Sequence, residues 1–303
     1  MSPLTSGLSY AFVEGVLELT LYGPFAILFS AVVYLFWIRG LISRKRPTFF
    51  IFLALLVLFL SITAHWINAI IILYHAFVQL DHSLAVLFFI TLSSPTAIIH
   101  FILVQISATI TDGLAIHRLY VVWSRNPRVV IVLPIIFLGS QIVTSVLLIC
   151  NIWRETVFNF YDVSNTSVNV NFVSSLIINI YSTGMIIFEM WRTSGAIRTI
   201  AGSRSSGKGL RKVLAIIVES AVLQTTMTIS NLIAFHYNPP LSSALTALQP
   251  LVFGISVCLI HVRVGLGWTT ERNQPQGIIL NMVKEEAPTP TKEYELEGGR
   301  VYC

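Results

Sequence analysis

Seven long apolar runs follow one another along the chain, over 19–37, 49–74, 97–122, 129–152, 171–191, 213–235 and 245–264, separated by short clusters of basic and turn-forming residues. Each approaches the about 20 residues that a helix needs to cross the hydrocarbon core of a bilayer. The pattern predicts an all-α, polytopic seven-transmembrane helix bundle, preceded by residues 1–18 and followed by a tail over 265–303. A further apolar piece over 83–92 is too short to span and reads as a helix extension or an interfacial segment. Gly23-Pro24 and Gln249-Pro250 predict kinks, because proline removes a backbone donor and crowds the preceding turn.

Composition places the chain in the membrane class independently of the runs. With 55% hydrophobic and 11% charged residues it is far poorer in charge than a soluble domain, where the share is about 25%. The net charge of +5 does not imply a nucleic-acid partner, because the basic residues sit in short clusters between apolar runs. Three cysteines, Cys150, Cys258 and Cys303, have no spacing that suggests a disulfide framework or a metal site. Residues 1–9 carry no Lys or Arg and no cleavage-site pattern, so the first helix is expected to act as an uncleaved signal.

Those basic clusters predict an orientation. Of the nineteen Lys and Arg, only Arg154 falls in a connection on the side opposite to the rest. Arg39, Arg44, Lys45 and Arg46 follow the first run, Arg125 and Arg128 the third, and Arg198, Arg204, Lys208 and Arg211 the fifth. Positively charged connections stay cytoplasmic, which puts residues 1–18 outside and the C-terminus inside. The sequon Asn165-Thr166-Ser167 then lies in an outer connection, making Asn165 a candidate glycosylation site. The plasma membrane is the expected location. The connection over 192–212, rich in Gly and Ser as well as in basic residues, reads as a flexible cytoplasmic loop that meets anionic lipid or a soluble partner. The tail turns acidic and polar, with Glu285, Glu286, Glu293, Glu295 and Glu297, and is expected to be disordered.

The third run carries the principal candidate chemistry. Asp112 lies inside a spanning segment, and Arg118 stands about 9 Å further along the axis. An acid at that depth costs about 2.5–3.5 kcal/mol unless it faces protein or water. It is therefore expected to point into the bundle. At about 100° per residue, Gln105, Thr109, Asp112, Ile116 and Trp123 share one stripe, from which Arg118 is displaced by about 120°. Asp112 and Arg118 are a candidate switch; the competing reading makes Arg118, Arg192 and Arg263 interfacial anchors.

Run six is the richest in polar residues. Glu219, Thr226 and Ser230 form one stripe, and Ser220, Gln224, Thr228 and Asn231 the adjacent one. With Gln105 and Thr109 of run three, Glu219, Gln224, Thr228 and Asn231 make a candidate polar network, holding helices together or lining a ligand or ion path. Gln224, Thr228 and Asn231 are the expected partners of Asp112. Glu189 and Arg192 are spaced to pair on one helix surface. His65, His75, His82, His100 and His236 all fall in the outer half, a distribution that a pH-sensing or metal site or chance alone would produce.

The string His117-Arg118-Leu119-Tyr120-Val121-Val122-Trp123 after Asp112 resembles the signature of a large, mostly uncharacterised family of seven-span integral membrane proteins from mushroom-forming fungi. Similarity extends to Ser182-Thr183-Gly184 with Trp191-Arg192, to Glu219-Ser220-Ala221, and to Gly254-Ile255 with His261-Val262-Arg263. His117 stands where that family usually has Tyr, and Glu189 where it often has a basic residue. The resemblance implies the seven-helix architecture more than an activity.

Function classes divide accordingly. A receptor-like protein coupling an outer cue to a cytoplasmic signalling partner fits best, although likeness to G-protein-coupled receptors is in plan only: no Asp-Arg-Tyr triplet and no Asn-Pro-x-x-Tyr are present. No lysine lies between Lys212 and Lys284, so retinal chemistry is excluded. A transporter or lipid-handling protein is the alternative. No converging catalytic constellation points to an enzyme, and no residues suggest a cofactor or a metal.

Overall fold

A computed structural model describes residues 3–38, 46–79, 95–123, 127–154, 157–201 and 206–285. Seven α-helices follow in order: α1 Pro3–Ile38, α2 Arg46–Tyr74, α3 Pro95–Val122, α4 Pro127–Arg154, α5 Val157–Ala201, α6 Ser206–Tyr237 and α7 Pro239–Glu285. A π-helical turn over His75–Gln79 extends α2. All seven contain spans long and apolar enough to cross a membrane, and the protein is an integral membrane protein of the all-α class. Large apolar side chains such as Ile27, Ile136, Val143 and Phe188 are exposed on the outer surface of the bundle. Such a surface is unfavourable in water and is matched by lipid.

These neighbouring helices run antiparallel, as two pairs register in opposite order in each case: Tyr22 with Thr63 and Phe36 with Phe52 between α1 and α2, Ser61 with Ser107 and Asn68 with Thr96 between α2 and α3, and Ser140 with Ser174 and Ser145 with Asn171 between α4 and α5. One apolar cluster joins Phe25, Phe29 and Val32 of α1, Leu55, Leu58 and Ile62 of α2, Leu114 of α3, and Leu251 and Val257 of α7. A second joins Leu119 of α3, Val130 of α4, Ile186 and Met190 of α5, and Ile217 of α6. The α7 span is 67% buried against 17% for that of α1, so α7 is a central helix and α1 a peripheral one. At Gly254 the α7 backbone comes so close to α1 and α2 that a Cβ there would lie 2.6 Å from Ile62 Cδ1 and 2.7 Å from Phe25 Cε2.

Several boundaries differ from those the apolar runs predict. Helix α1 runs from Pro3 through Glu14 and Glu18, within the segment assigned to the N-terminus, because these acids interrupt the apolar run but not the helix. Helix α5 begins at Val157, well before the predicted run, and the polar side chains of Asn171, Ser174 and Ser175 are buried inside the bundle. The sequon is consequently helical, with Asn165 exposed and its Oδ1 accepting from Asn169 Nδ2 at 2.7 Å. The expected loop over 192–212 is shorter than predicted: its backbone is helical to Ala201 and again from Ser206, and only 202–205 lie outside the described residues. Ala196, Ile197, Arg198 and Ile200 are compatible with the helix, and Gly195 is accommodated within it. Helix runs without a break through Pro24 and Pro250. The segment 83–92 lies outside the described residues.

A second unit, Leu266–Cys303, was expected to be disordered; its backbone is helical as far as Glu285. Ile278, Ile279, Leu280, Met282 and Val283 supply helix-compatible apolar residues there, whereas the acidic composition behind the expectation begins only at Glu285. Residues 286–303 lie outside the described residues.

Candidate functional site

Small residues set the position of α3. Ser107, Ala108, Thr111 and Ala115 are buried, and side chains of that size let neighbouring backbones approach within the membrane. Helices α2, α4 and α5 all pack against α3. The result is a polar core built along one helix.

Asp112 is 0% exposed. Asn179 Nδ2 of α5 donates to Asp112 Oδ1 at 3.3 Å, and to the Ser175 carbonyl oxygen at the same distance. Ser175 and Gln141 flank the carboxyl, but in this arrangement Asp112 Oδ2, Ser175 Oγ and the Gln141 amide are outside hydrogen-bond geometry. The expected partners on run six do not reach Asp112. Thr228 Oγ1 donates to the Gln224 carbonyl oxygen of its own helix, Asn231 faces α7, and the Gln224 side chain lines the cavity of Arg118.

Arg118 turns inward instead of ending at the helix surface. Its Nε donates to the Leu114 carbonyl oxygen at 3.2 Å, and the side chain lines a small cavity with Asn179, Ser182, Thr183 and Gln224. That cavity has room for about one water molecule. Asn179 touches both places, so α5 links the acid to the pocket of the arginine. Ser182 Oγ and Gln224 Nε2 are buried there without a protein partner, which is the setting in which an ordered water is held.

Towards the start of α3, Gln105 Oε1 accepts from Ser145 Oγ of α4 at 2.9 Å and from Asn171 Nδ2 of α5 at 3.2 Å. Asn171 also donates to Ser145 Oγ at 2.8 Å, closing a three-helix network. Thr109 is not part of it: its hydroxyl donates to the Gln105 carbonyl oxygen of the preceding turn at 2.8 Å. At the other end Trp123 stacks beside Phe188, and the Arg192 guanidinium lies 5.8 Å from the Trp123 ring centroid. Arg192 also pairs with Glu189 at 2.8 Å, but Glu189 is buried and not on the surface as its spacing suggested.

The two stripes of α6 separate cleanly. Ser220, Gln224, Thr228 and Asn231 are buried, while Glu219 is exposed and pairs with Arg263 of α7. Asn231 is the hub of the α6–α7 contact: Nδ2 donates to Thr246 Oγ1 at 3.0 Å and Gln249 Oε1 at 3.1 Å, and Oδ1 accepts from Ser242 Oγ at 3.1 Å. Among the described residues no group of three or more His, Cys, Asp or Glu side chains is arranged to hold a metal ion.

Besides Gln141 and Ser145 of α4, Asn171, Ser175 and Asn179 of α5 were passed over in the sequence, and Ser182 was noted only in the resemblance. The α5 residues form a pattern of their own. They recur at helical spacing down one face, with Glu189 two turns beyond, so a stripe count of run five would have found them. No protein-family model, no curated protein and no solved structure matches this chain.

Proposed function

We propose that this chain is a receptor-like seven-transmembrane protein of the plasma membrane, with its N-terminus outside and its C-terminus cytoplasmic, coupling an outer cue to a cytoplasmic signalling protein. The observation that carries the reading is the succession of polar contacts along α3, from the buried Gln105 network through buried Asp112 and Asn179 to half-buried Arg118, and on to Trp123 against exposed Arg192. Such a line gives a bundle discrete alternative pairings, and shifts of about 1–2 Å in packed helices are what interfaces transmit. The bias of Lys and Arg supports the orientation. In this frame the inner ends of α3 and α5 form the docking surface, and the resemblance to the fungal seven-span family is part of the same proposal.

A transporter or lipid-handling role is the second reading. Buried carboxyl groups at three separate places, Glu18, Asp112 and Glu189, favour it, since intramembrane acids mark ion and proton pathways as well as switches.

Co-purification of heterotrimeric G-protein subunits from native membranes, with wild type compared against Arg192→Ala, tests the first reading. Capture of the subunits by wild type and its loss in a variant of normal surface abundance support it. Equal capture with both proteins, or none with wild type, removes the docking surface from the reading.

A further inference from the structure

A second buried polar cluster lies away from α3's main line, where α1, α2 and α3 meet. Glu18 Oε1 of α1 stands 2.6 Å from His65 Nδ1 of α2, with the two side chains 1% and 0% exposed. The His65 ring lies against that of His100 of α3, centroids 4.2 Å apart and planes at 38°. That separation is ion-pair distance for a carboxylate and a protonated imidazole. Their approach is misaligned for a good hydrogen bond, and His65 Nε2 and His100 Nδ1 are buried with no hydrogen-bond partner. A purely structural Glu–His pair would have its remaining nitrogens satisfied, because buried unpaired polar atoms are costly and rare.

We propose that Glu18, His65 and His100 form a reversible proton-binding site joining three helices. Unprotonated, the cluster holds the Glu18 carboxylate beside two neutral imidazoles. One proton, delivered from water as hydronium, binds a free imidazole nitrogen, leaves water behind, and turns the cluster into a neutral carboxylate–imidazolium pair. Glu14 stands one turn before Glu18 on α1, half-buried, and offers a carboxylate step between the bundle end and the site. Glu14, Glu18, His65 and His100 are the titratable groups that face one another here from α1, α2 and α3. Chains of Asp, Glu and His within spanning helices are the usual constituents of proton relays. The two imidazoles cannot both carry charge at this separation without moving apart, so occupancy is coupled to the α1–α2 seam, where Tyr22 stacks on Trp66 with centroids 4.4 Å apart.

This proposal is independent of the receptor reading. The test is infrared difference spectroscopy on the full chain in lipid nanodiscs, with a chelator present, between about pH 7.5 and about pH 5. A carboxyl band that changes with pH in wild type and is lost in Glu18→Gln is expected. His100→Gln leaves that carboxyl in place and is expected to shift the midpoint of the band by about one pH unit or more. The proposal is overturned by the absence of any pH-dependent carboxyl band in wild type, by a band that disappears only in Asp112→Asn, or by an unchanged midpoint in His100→Gln. Should Glu18→Gln not fold, the comparison of wild type with His100→Gln decides alone.

Discussion

Asn179 of α5 reaches the carboxyl of Asp112 on α3 with a 3.3 Å hydrogen bond and lines the small cavity of Arg118 with the same side chain. One amide therefore connects the acid to the pocket of the only arginine among α3's described residues. A change at either charge is felt by α5.

Asn179→Ala removes the donor and leaves Asp112 Oδ1 buried without it. The expected loss of stability is about 1–2 kcal/mol, near the upper end for hydrogen bonds between membrane helices, because the acceptor belongs to a fully buried acid. Asp112→Asn is expected to be neutral or mildly stabilising, since a neutral amide keeps the acceptor and needs no solvation of charge. Thermal unfolding of the purified variants in one detergent checks both. Equal destabilisation by the two would show that packing, not the polar pairing, holds this place.

Arg118→Lys separates the two readings of the arginine. Its side chain donates through Nε to the Leu114 carbonyl oxygen and fills one wall of the cavity, neither of which an ammonium on a flexible stem reproduces. Normal surface abundance with at least a several-fold weaker cellular response is expected. A normal response would leave Arg118 as an anchor.

Asn231→Ala is expected to loosen α7 from α6, leaving Thr246, Gln249 and Ser242 without their shared partner. A single interhelical contact in a membrane averages about 0.6 kcal/mol, so a hub with several is expected to lower stability by about 1–2 kcal/mol. Faster proteolysis between α6 and α7, with the remaining helices protected, is the corresponding local signature.

Gly254→Leu is expected to be severely destabilising and Gly254→Ala moderately so, by about 1–3 kcal/mol. A Cβ at that position meets Phe25 and Ile62, which are both fully buried, so one of them must shift within the core. The double variant Gly254→Ala with Ile62→Val is expected to recover part of the loss, and a melting curve that shows no recovery would place the strain at Phe25.

A reporter active only in the cytosol, fused after Cys303, is expected to give signal, and an N-terminal fusion none. Treatment with an endoglycosidase tests Asn165 in the same cells: a mobility shift lost in Asn165→Gln puts that end of α5 outside. The reverse pattern of reporter activity would invert the orientation and withdraw the receptor reading.

Much of the architecture was legible without coordinates, because spanning a bilayer is a local requirement. About 20 apolar residues must be contiguous for a helix to satisfy its backbone in lipid, so each run announces itself whatever its neighbours are. The same locality made Asp112 stand out: a carboxylate within an apolar run is conspicuous in one dimension. Glu18 escaped notice for the converse reason. It lies near the end of a run, where an acid reads as the edge of the helix, and only His65 and His100 from two other helices turn it into part of a buried cluster.

Partner choice was decided by tertiary structure alone. Helical periodicity puts Ser220, Gln224, Thr228 and Asn231 on one face, and they are buried, but nothing local says which helix that face meets. The order of helices around the bundle sends Asn231 to α7 and brings Asn179 of α5 to Asp112. A polar stripe fixes an angle about its own axis, whereas a hydrogen bond also needs a distance between two axes, and that distance comes from the packing of small residues on α3 and from the order of the helices around it.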